Sequence, residues 1–167
     1  MTIDLKVLLR ITGLLQTAGD GGTAKLEIDE GITARLATGT GADQANAIFI
    51  DDFTIAASGN TTYDLAGSLT DRLGNALVFT AVKAILLFAD DGNTNNVVYG
   101  NGTNPFVGPS DDGTATMAIT PGGGFIVLDP SAAGMAVGAG SADVIKLANS
   151  GGSTSVSGTI VIVGEVS

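Results

Sequence analysis

The stretch DVIKLANSGGSTSVSGTIVIVGEV, residues 143–166, contains the pattern that decides the fold class. It has two apolar segments, 143–149 and 155–166, which a cluster of Asn, Ser, Gly and Thr separates. Short apolar segments between turn-forming residues are typical of β-strands. The uninterrupted apolar run 160–163, like the run 85–88, predicts a strand covered on both faces. A neighbouring subunit could supply one of those covers, but an ordinary central core strand is the favoured interpretation.

The same alternation of apolar segments and turn residues recurs along the whole chain. The other predicted strands are 5–11, two short strands within 23–39 around Glu30-Gly31, 47–57, 61–67, 76–89, 96–100, 114–120, 124–130 and 135–139. A single helical turn is predicted at 69–74, and no long amphipathic helix intervenes, which disfavours a parallel α/β sheet. The pattern predicts an all-β protein, an antiparallel β-sandwich that is jelly-roll-like, with an N-terminal strand or arm.

The chain divides at a Gly- and Thr-rich segment, residues 38–44. We expect residues 1–37 to form N-terminal arm strands that contact a neighbour, and residues 38–167 to form the sandwich domain. Within 5–11 the apolar residues alternate with period two, which predicts a strand, and a helix is the alternative. Such a strand could add to the sheet of a neighbouring protein or complete the sandwich of its own chain. Both possibilities stay open at this stage.

Composition excludes several classes of function. Seventeen acidic and seven basic residues give a net charge of −10 without a basic patch, so we expect no nucleic-acid partner. No apolar stretch approaches the roughly 20 residues that cross a bilayer, and we expect neither a signal peptide nor a membrane partner. Histidine and cysteine are absent, which removes the commonest general base and metal ligand. We therefore expect no enzymatic activity, no catalytic residues and no cofactor.

The segment DDGNTNNVVYG, residues 90–100, resembles a calcium-binding loop at first sight. Asp91, Asn93 and Asn95 match its first, third and fifth positions. Asn96 stands where the loop needs glycine, and Gly102 stands where it needs a bidentate glutamate. We therefore predict a hairpin turn between strands 76–89 and 96–100, and no metal site.

Adjacent aspartates do not form a catalytic pair. Asp51 and Asp52 interrupt an apolar strand, and neighbours along a strand point to opposite faces. Acid–base catalysis needs two carboxylates that face each other across a cleft. The pair instead predicts a β-bulge or an edge strand that is protected against aggregation.

The order of phrases along residues 38–164 resembles a family of small structural proteins of tailed bacteriophages, which are encoded near the major capsid protein. The phrases are TGTGADQANAIFIDDFTIAASG, TTYDLAGSLTDRLGNALVFTAVKAILL, GNTNNVVYG, NPFVGP, ITPGGGFIVLDP and GMAVGAGSADVIKLANSGGSTSVSGTIVIVG. The resemblance implies a virion component, a capsid decoration (cement) protein with a jelly-roll-like β-sandwich. It carries over no catalytic residues.

The resemblance also implies partners and a location. We expect a small symmetric homo-oligomer, such as a trimer, that is made in the bacterial host cytoplasm and binds the major capsid protein on the outer surface of the capsid. Decoration proteins often grip the capsid lattice with a terminal arm, so Leu5, Val7, Leu9 and Ile11 are the predicted capsid or subunit contacts. The alternatives are a glycan-binding domain of a tail, fibre or spike that recognises the host and, third, a calcium-dependent binding module.

Overall fold

The fold was analysed in a computed structural model that describes residues 2–20, 22–67 and 69–167. The strands are β1 (Asp4–Gly19), β2 (Gly22–Thr38), β3 (Gln44–Ala45), β4 (Ala47–Ile55), β5 (Asn60–Asp64), β6 (Leu69–Thr70), β7 (Ala76–Leu77), β8 (Phe79–Ala89), β9 (Val97–Gly100), β10 (Thr116–Ile119), β11 (Gly124–Leu128), β12 (Met135–Ala136), β13 (Val144–Asn149) and β14 (Val156–Val166). The described residues contain no helix. The all-β prediction is confirmed.

Two antiparallel sheets form the sandwich. The larger sheet has the order β11–β8–β14–β4, with β12 also paired to β8, and the smaller sheet has the order β10–β9–β13–β5. The two strands predicted from residues 143–166 are β13 and β14, and each is an interior strand of a different sheet. The predicted sandwich is therefore confirmed. The runs 85–88 and 160–163 lie on β8 and β14, which are interior strands of the larger sheet, and Phe88 at the end of the first run is 47% exposed. Whether a neighbouring subunit covers the outer face of these strands stays a prediction.

The core between the two sheets is mainly aliphatic, as the composition requires. Buried side chains from both sheets form one cluster that includes Ile85, Leu87, Ile160, Ile162, Val97, Ile145 and Leu147. Aromatic pairs join the sheets at two places. The ring centroids of Phe49 and Tyr63 are 5.6 Å apart, and those of Tyr99 and Phe125 are 5.3 Å apart, both edge to face. Burial of this cluster holds the two layers together.

The path of the chain alternates between the sheets. Among the eight strands of the two sheet orders, every connection crosses to the other sheet except the one from β9 to β10. This winding is compatible with a jelly-roll-like arrangement.

The predicted helical turn at 69–74 is wrong, because β6 and β7 pair as a short hairpin there. The Asp71 carboxylate accepts hydrogen bonds from the backbone N–H groups of Leu73 and Asn75 at 2.8 Å, which stabilises a turn instead.

Strands β1 and β2 form a long antiparallel hairpin outside both sandwich sheets. Their register runs without interruption from Asp4 opposite Ala37 to Gly19 opposite Gly22. Two short strands around Glu30-Gly31 were predicted, but β2 is continuous there. The prediction was wrong because cross-strand pairing with β1 outweighs the local turn preference of Glu-Gly. The last residues of β2 also pair in parallel with β3.

The base of the hairpin packs on the outer face of the larger sheet. Ile3 and Leu36 are buried there in a second cluster with Ala45, Ala84 and Val163. These last two residues belong to β8 and β14, so the chain's own hairpin covers part of the outer face of both strands. This contact anchors the hairpin to the sandwich.

The Asp51-Asp52 pair lies on β4, which is an edge strand of the larger sheet. The edge prediction is therefore confirmed. The alternative, a bulge, is wrong, because both aspartates stay in register with β14, opposite Ile160 and Thr159. A charged edge strand resists pairing with the sheet of another molecule.

Lys83 anchors a loop to the larger sheet. Its side chain is fully buried, and Nζ donates hydrogen bonds to the carbonyl oxygens of Ser131 at 2.5 Å and Ala132 at 2.9 Å. Nζ also lies 2.9 Å from Oε1 of Glu165, whose side chain is mostly buried. A buried charge needs such partners to offset its desolvation. The contacts hold the 129–134 segment between β11 and β12 against β8.

Truncation of a core side chain should lower stability far more than truncation of an exposed one. We expect Leu87→Ala, at a fully buried position, to lower the free energy of unfolding by about 2–5 kcal/mol through lost burial and a residual cavity. The matched control is Leu73→Ala, where the leucine is 80% exposed and the change should stay within about 0.5 kcal/mol. Urea unfolding of both variants measures this. Equal effects would contradict the assigned core.

Candidate interaction surface: the apolar face of the hairpin

The hairpin has one apolar face and one polar face. Side chains alternate along each strand, and residues directly opposite one another in the two strands share a face. The apolar face consists of Leu5, Val7, Leu9, Ile11 and Leu15 from β1 with Leu26, Ile28, Ile32, Ala34 and Leu36 from β2. Glu30 is the one charged residue on this face within the described part of the hairpin. The spacing of the two strands makes this face an apolar stripe that Glu30, opposite Ile11, interrupts.

The apolar face passes from buried to exposed along the hairpin. Near the base, Leu36 and Ala34 are buried and Leu5 and Val7 are half-buried. Farther out, the exposed fractions range from 40% for Ile28 to 67% for Ile11. Leu9, Leu15, Leu26 and Ile32 lie within that range. A contiguous apolar surface of this kind marks an interaction site in soluble proteins.

The opposite face of the hairpin carries most of its charge. Arg10 donates to the Asp29 carboxylate through Nε at 2.6 Å and through a terminal guanidinium nitrogen at 2.5 Å. This bidentate contact lowers the pKa of Asp29 below its ordinary value. Both groups are exposed, so the pair contributes little to stability. Leu8 and Leu14 are the exposed leucines on this face, at 50% and 51%.

The structure brings the four predicted contact residues together on the apolar face. Leu5 packs on the second cluster, Val7 is half-buried, and Leu9 and Ile11 are exposed. The alternative in which this strand completes the sandwich of its own chain is wrong, because β1 pairs with β2 and not with a sandwich sheet. Addition to the sheet of a neighbouring protein stays a prediction. Within the described residues the other edge of β1 has no partner strand. Their role in contacting a capsid or subunit stays a prediction.

Sequence reasoning missed the outer half of the apolar face. The predicted strand ended at Ile11, whereas β1 continues through Gly13 and Leu15. The Asp-Gly pair at 20–21 could have indicated this extension, since Asp-Gly is a preferred two-residue hairpin turn. A hairpin closed at that point places Leu15 opposite Leu26 and Leu9 opposite Ile32.

A groove lies between the hairpin and the outer face of the larger sheet. Its volume is about 830 Å³, and its apolar lining includes Val7, Leu9, Ile32, Ile126, Leu128 and Pro130. A smaller recess of about 280 Å³ continues toward Leu86, Phe88 and Val161. The apolar surface of the hairpin therefore extends onto the sheet. Such a surface can bind apolar side chains, and Arg35 and Asp43 are the charged groups that line the larger groove.

The segment 90–96 is not a hairpin turn, because β8 lies in the larger sheet and β9 in the smaller one. The amide of Asn93 bonds the backbone of Ser157, accepting from N–H at 2.9 Å and donating to the carbonyl oxygen at 2.8 Å. Asn95 donates to the Thr154 hydroxyl at 2.8 Å. These polar side chains join the crossover to the start of β14. No group of three or more His, Cys, Asp or Glu side chains suited to a metal was found among the described residues.

The Asp51-Asp52 pair makes separate contacts on the two faces of β4. Asp51 accepts a hydrogen bond from the Tyr63 hydroxyl at 2.7 Å, which links the two sheets. Burial, together with this hydrogen bond, raises the pKa of Tyr63. Asp52 accepts from Arg72 at 2.7 Å and from the Thr159 hydroxyl at 2.8 Å. The two carboxylates therefore do not converge on one site.

The chain was also compared with known proteins. No family model, curated protein or solved structure matched it. Within the part of the chain that the structure describes, no helix is long and apolar enough to cross a membrane.

The crossover at 90–96 should depend on Asn93 rather than on a bound ion. We expect Asn93→Ala to lower the free energy of unfolding by about 1–3 kcal/mol, because the Ser157 N–H loses its acceptor. Asp91→Ala is the matched control, since Asp91 is exposed and occupies the first position of the apparent calcium loop. Thermal unfolding with calcium and with a chelator completes the test. A chelator-sensitive Tm, or equal losses in the two variants, would favour an ion site.

Proposed function

We propose that this chain is a non-enzymatic capsid decoration (cement) protein of a tailed bacteriophage. It is made in the cytoplasm of the bacterial host and binds the major capsid protein on the outer surface of the capsid as a small symmetric homo-oligomer, such as a trimer. The resemblance of residues 38–164 to phage virion proteins supports this proposal. The observation that carries it is the exposed apolar face of the hairpin, which offers a permanent contact to the capsid or to another copy in the homo-oligomer.

The winding of the sandwich supports a structural role. Eight strands in two sheets, with nearly every connection crossing between them, fit the jelly-roll arrangement that we propose for this domain. Jelly rolls recur in viral capsid proteins and also in lectins. Because one fold serves many functions, the argument depends on the surface and not on the fold alone.

Burial of the apolar face provides the binding energy for a permanent contact. A fully buried aliphatic side chain contributes about 1.5–3 kcal/mol, so the six residues that are half exposed could contribute about 1 kcal/mol each. Leu9 and Ile11 are predicted contacts among them, while Leu5 packs against the second cluster and holds the hairpin to the sandwich. A partner that covers this face would be held firmly to the hairpin.

A cement protein acts by preferential binding, and it needs no chemistry. A ligand that binds the assembled lattice more tightly than dispersed subunits stabilises the lattice by mass action. The charge distribution fits an exposed location, because a net charge of −10 keeps the sandwich soluble. The long strands and the buried core provide the rigidity that a bridge between capsid subunits requires.

A host-recognition domain that binds glycans is the second candidate. A polar recess of about 460 Å³ on the smaller sheet is lined by Asn60, Thr62, Asn101, Asn104 and Lys146, among others. Amide and hydroxyl groups can bond sugar hydroxyls. Sugar binding also favours exposed aromatic rings at the site, whereas both tyrosines of the chain are buried and the exposed Phe88 lies on the larger sheet. The cement role is therefore favoured.

Capsids that carry the protein should resist heat better than capsids that lack it. We expect particles without this chain to release DNA at a lower temperature, because the capsid lattice loses the stabilisation that the bound protein provides. Dye-detected DNA release from purified particles measures this, and re-addition of the protein should restore the higher temperature. Equal release temperatures would contradict the cement role.

A copy number of a handful per particle, rather than one comparable to the major capsid protein, would favour the tail or spike alternative.

A further inference from the structure

We propose that the apolar face of the hairpin is the surface through which copies of this chain bind one another. The hairpins of two or more copies pack apolar face to apolar face around a symmetry axis, and the sandwiches lie outside that axis. This inference deepens the proposed function. It rests on the proposed function only for the expectation that the chain forms a homo-oligomer. It assigns that association to the hairpin and identifies the occupant of its apolar face as the same face of another copy. The homo-oligomer formed in this way, and not the apolar face of a single chain, is then what binds the capsid.

The first argument is the incomplete burial of the hairpin. A two-stranded ribbon alone in water is marginally stable, and it needs a further layer on its apolar face. The larger sheet supplies that layer at the base, where Ile3 and Leu36 are buried. Toward the turn, Leu15 and Leu26 oppose each other on the same face and are 63% and 58% exposed. The outer half therefore lacks a layer that an identical hairpin can provide.

The second argument is the uneven distribution of charge. Residues 1–38 contain four basic and five acidic side chains, a net charge of −1, whereas residues 39–167 contain three basic and twelve acidic ones, a net charge of −9. Like-charged surfaces repel each other. Two copies can therefore approach through their hairpins with much less repulsion than through their sandwich domains. Charge directs self-association to the hairpin.

The third argument is the size of the surface. At roughly 100 Å² of apolar area per aliphatic side chain, the six exposed fractions correspond to roughly 350 Å² per copy. Interfaces are about 60% apolar, so the whole contact would cover roughly 600 Å² per copy. Two copies then bury roughly 1,200 Å², which is the lower end of the range for specific association.

The test compares two double variants of the full chain. Leu9→Asp/Leu15→Asp introduces charge on the apolar face, and Leu8→Asp/Leu14→Asp introduces the same charge on the opposite face at neighbouring positions of similar exposure. Light scattering after size exclusion measures the mass of each variant. We expect the wild type and Leu8→Asp/Leu14→Asp to contain two or more 16.5 kDa chains. We expect Leu9→Asp/Leu15→Asp to be a single chain with unchanged far-UV circular dichroism.

A cross-linking experiment gives a readout that does not depend on the folding of the double variants. The chain contains no cysteine, so Leu15→Cys and Leu14→Cys each introduce a unique thiol. A bismaleimide should join copies through Leu15→Cys at least several times more efficiently than through Leu14→Cys. Equal efficiencies, a wild type that consists of single chains, or an unchanged mass for Leu9→Asp/Leu15→Asp would each overturn the proposal.

These results separate the inference from the proposed function. A single-chain wild type that still raises the DNA-release temperature of capsids would overturn self-association and leave the cement role intact. Conversely, an oligomer that depends on the apolar face, combined with no effect on capsids, would support this inference and contradict the cement role.

Discussion

Aliphatic packing between the inner faces of the two sheets is the interaction on which the rest of the structure depends. β13 and β14 lie inside different sheets, and their alternating side chains meet in one cluster with those of β8. The larger sheet, once held in this way, presents an outer face on which the base of the hairpin packs. Without that support, the hairpin would be a two-stranded ribbon of marginal stability. The position of the candidate interaction surface is thus a consequence of the core.

The hairpin combines a stable base with an exposed outer half. Its apolar face runs from the base to the outer half, so the same residue pattern that anchors Leu5 and Leu36 also exposes Ile11 and Leu15. Exposed apolar strands carry a risk of aggregation, which proteins commonly avoid. On the edge strand β4 the chain does avoid it, with Asp51 and Asp52. The contrast between a protected edge and an unprotected hairpin is the physical reason to propose the hairpin as the binding surface.

Much of the fold followed from local patterns, and the errors have common causes. Segments 47–57, 124–130 and 143–149 were predicted as strands and contain β4, β11 and β13. The helical turn at 69–74 and the hairpin turn at 90–96 were wrong, because turn-forming residues indicate where the chain bends but not which strands it connects. The candidate site was predicted for its inner half only, since long-range pairing extended β1 beyond Ile11.

By itself, the sequence determined that this protein is all-β, has an aliphatic core and carries one apolar face on its first strand. Period-two alternation records which side of a strand is buried, and composition limits the available chemistry. Only the tertiary structure decided which strands share a sheet and that β1 and β2 form one hairpin outside the sandwich. It also decided which part of the apolar face stays exposed. Strand pairing and the packing of one element over another bring together residues that are far apart in the chain. Local sequence patterns do not indicate which distant residues these are.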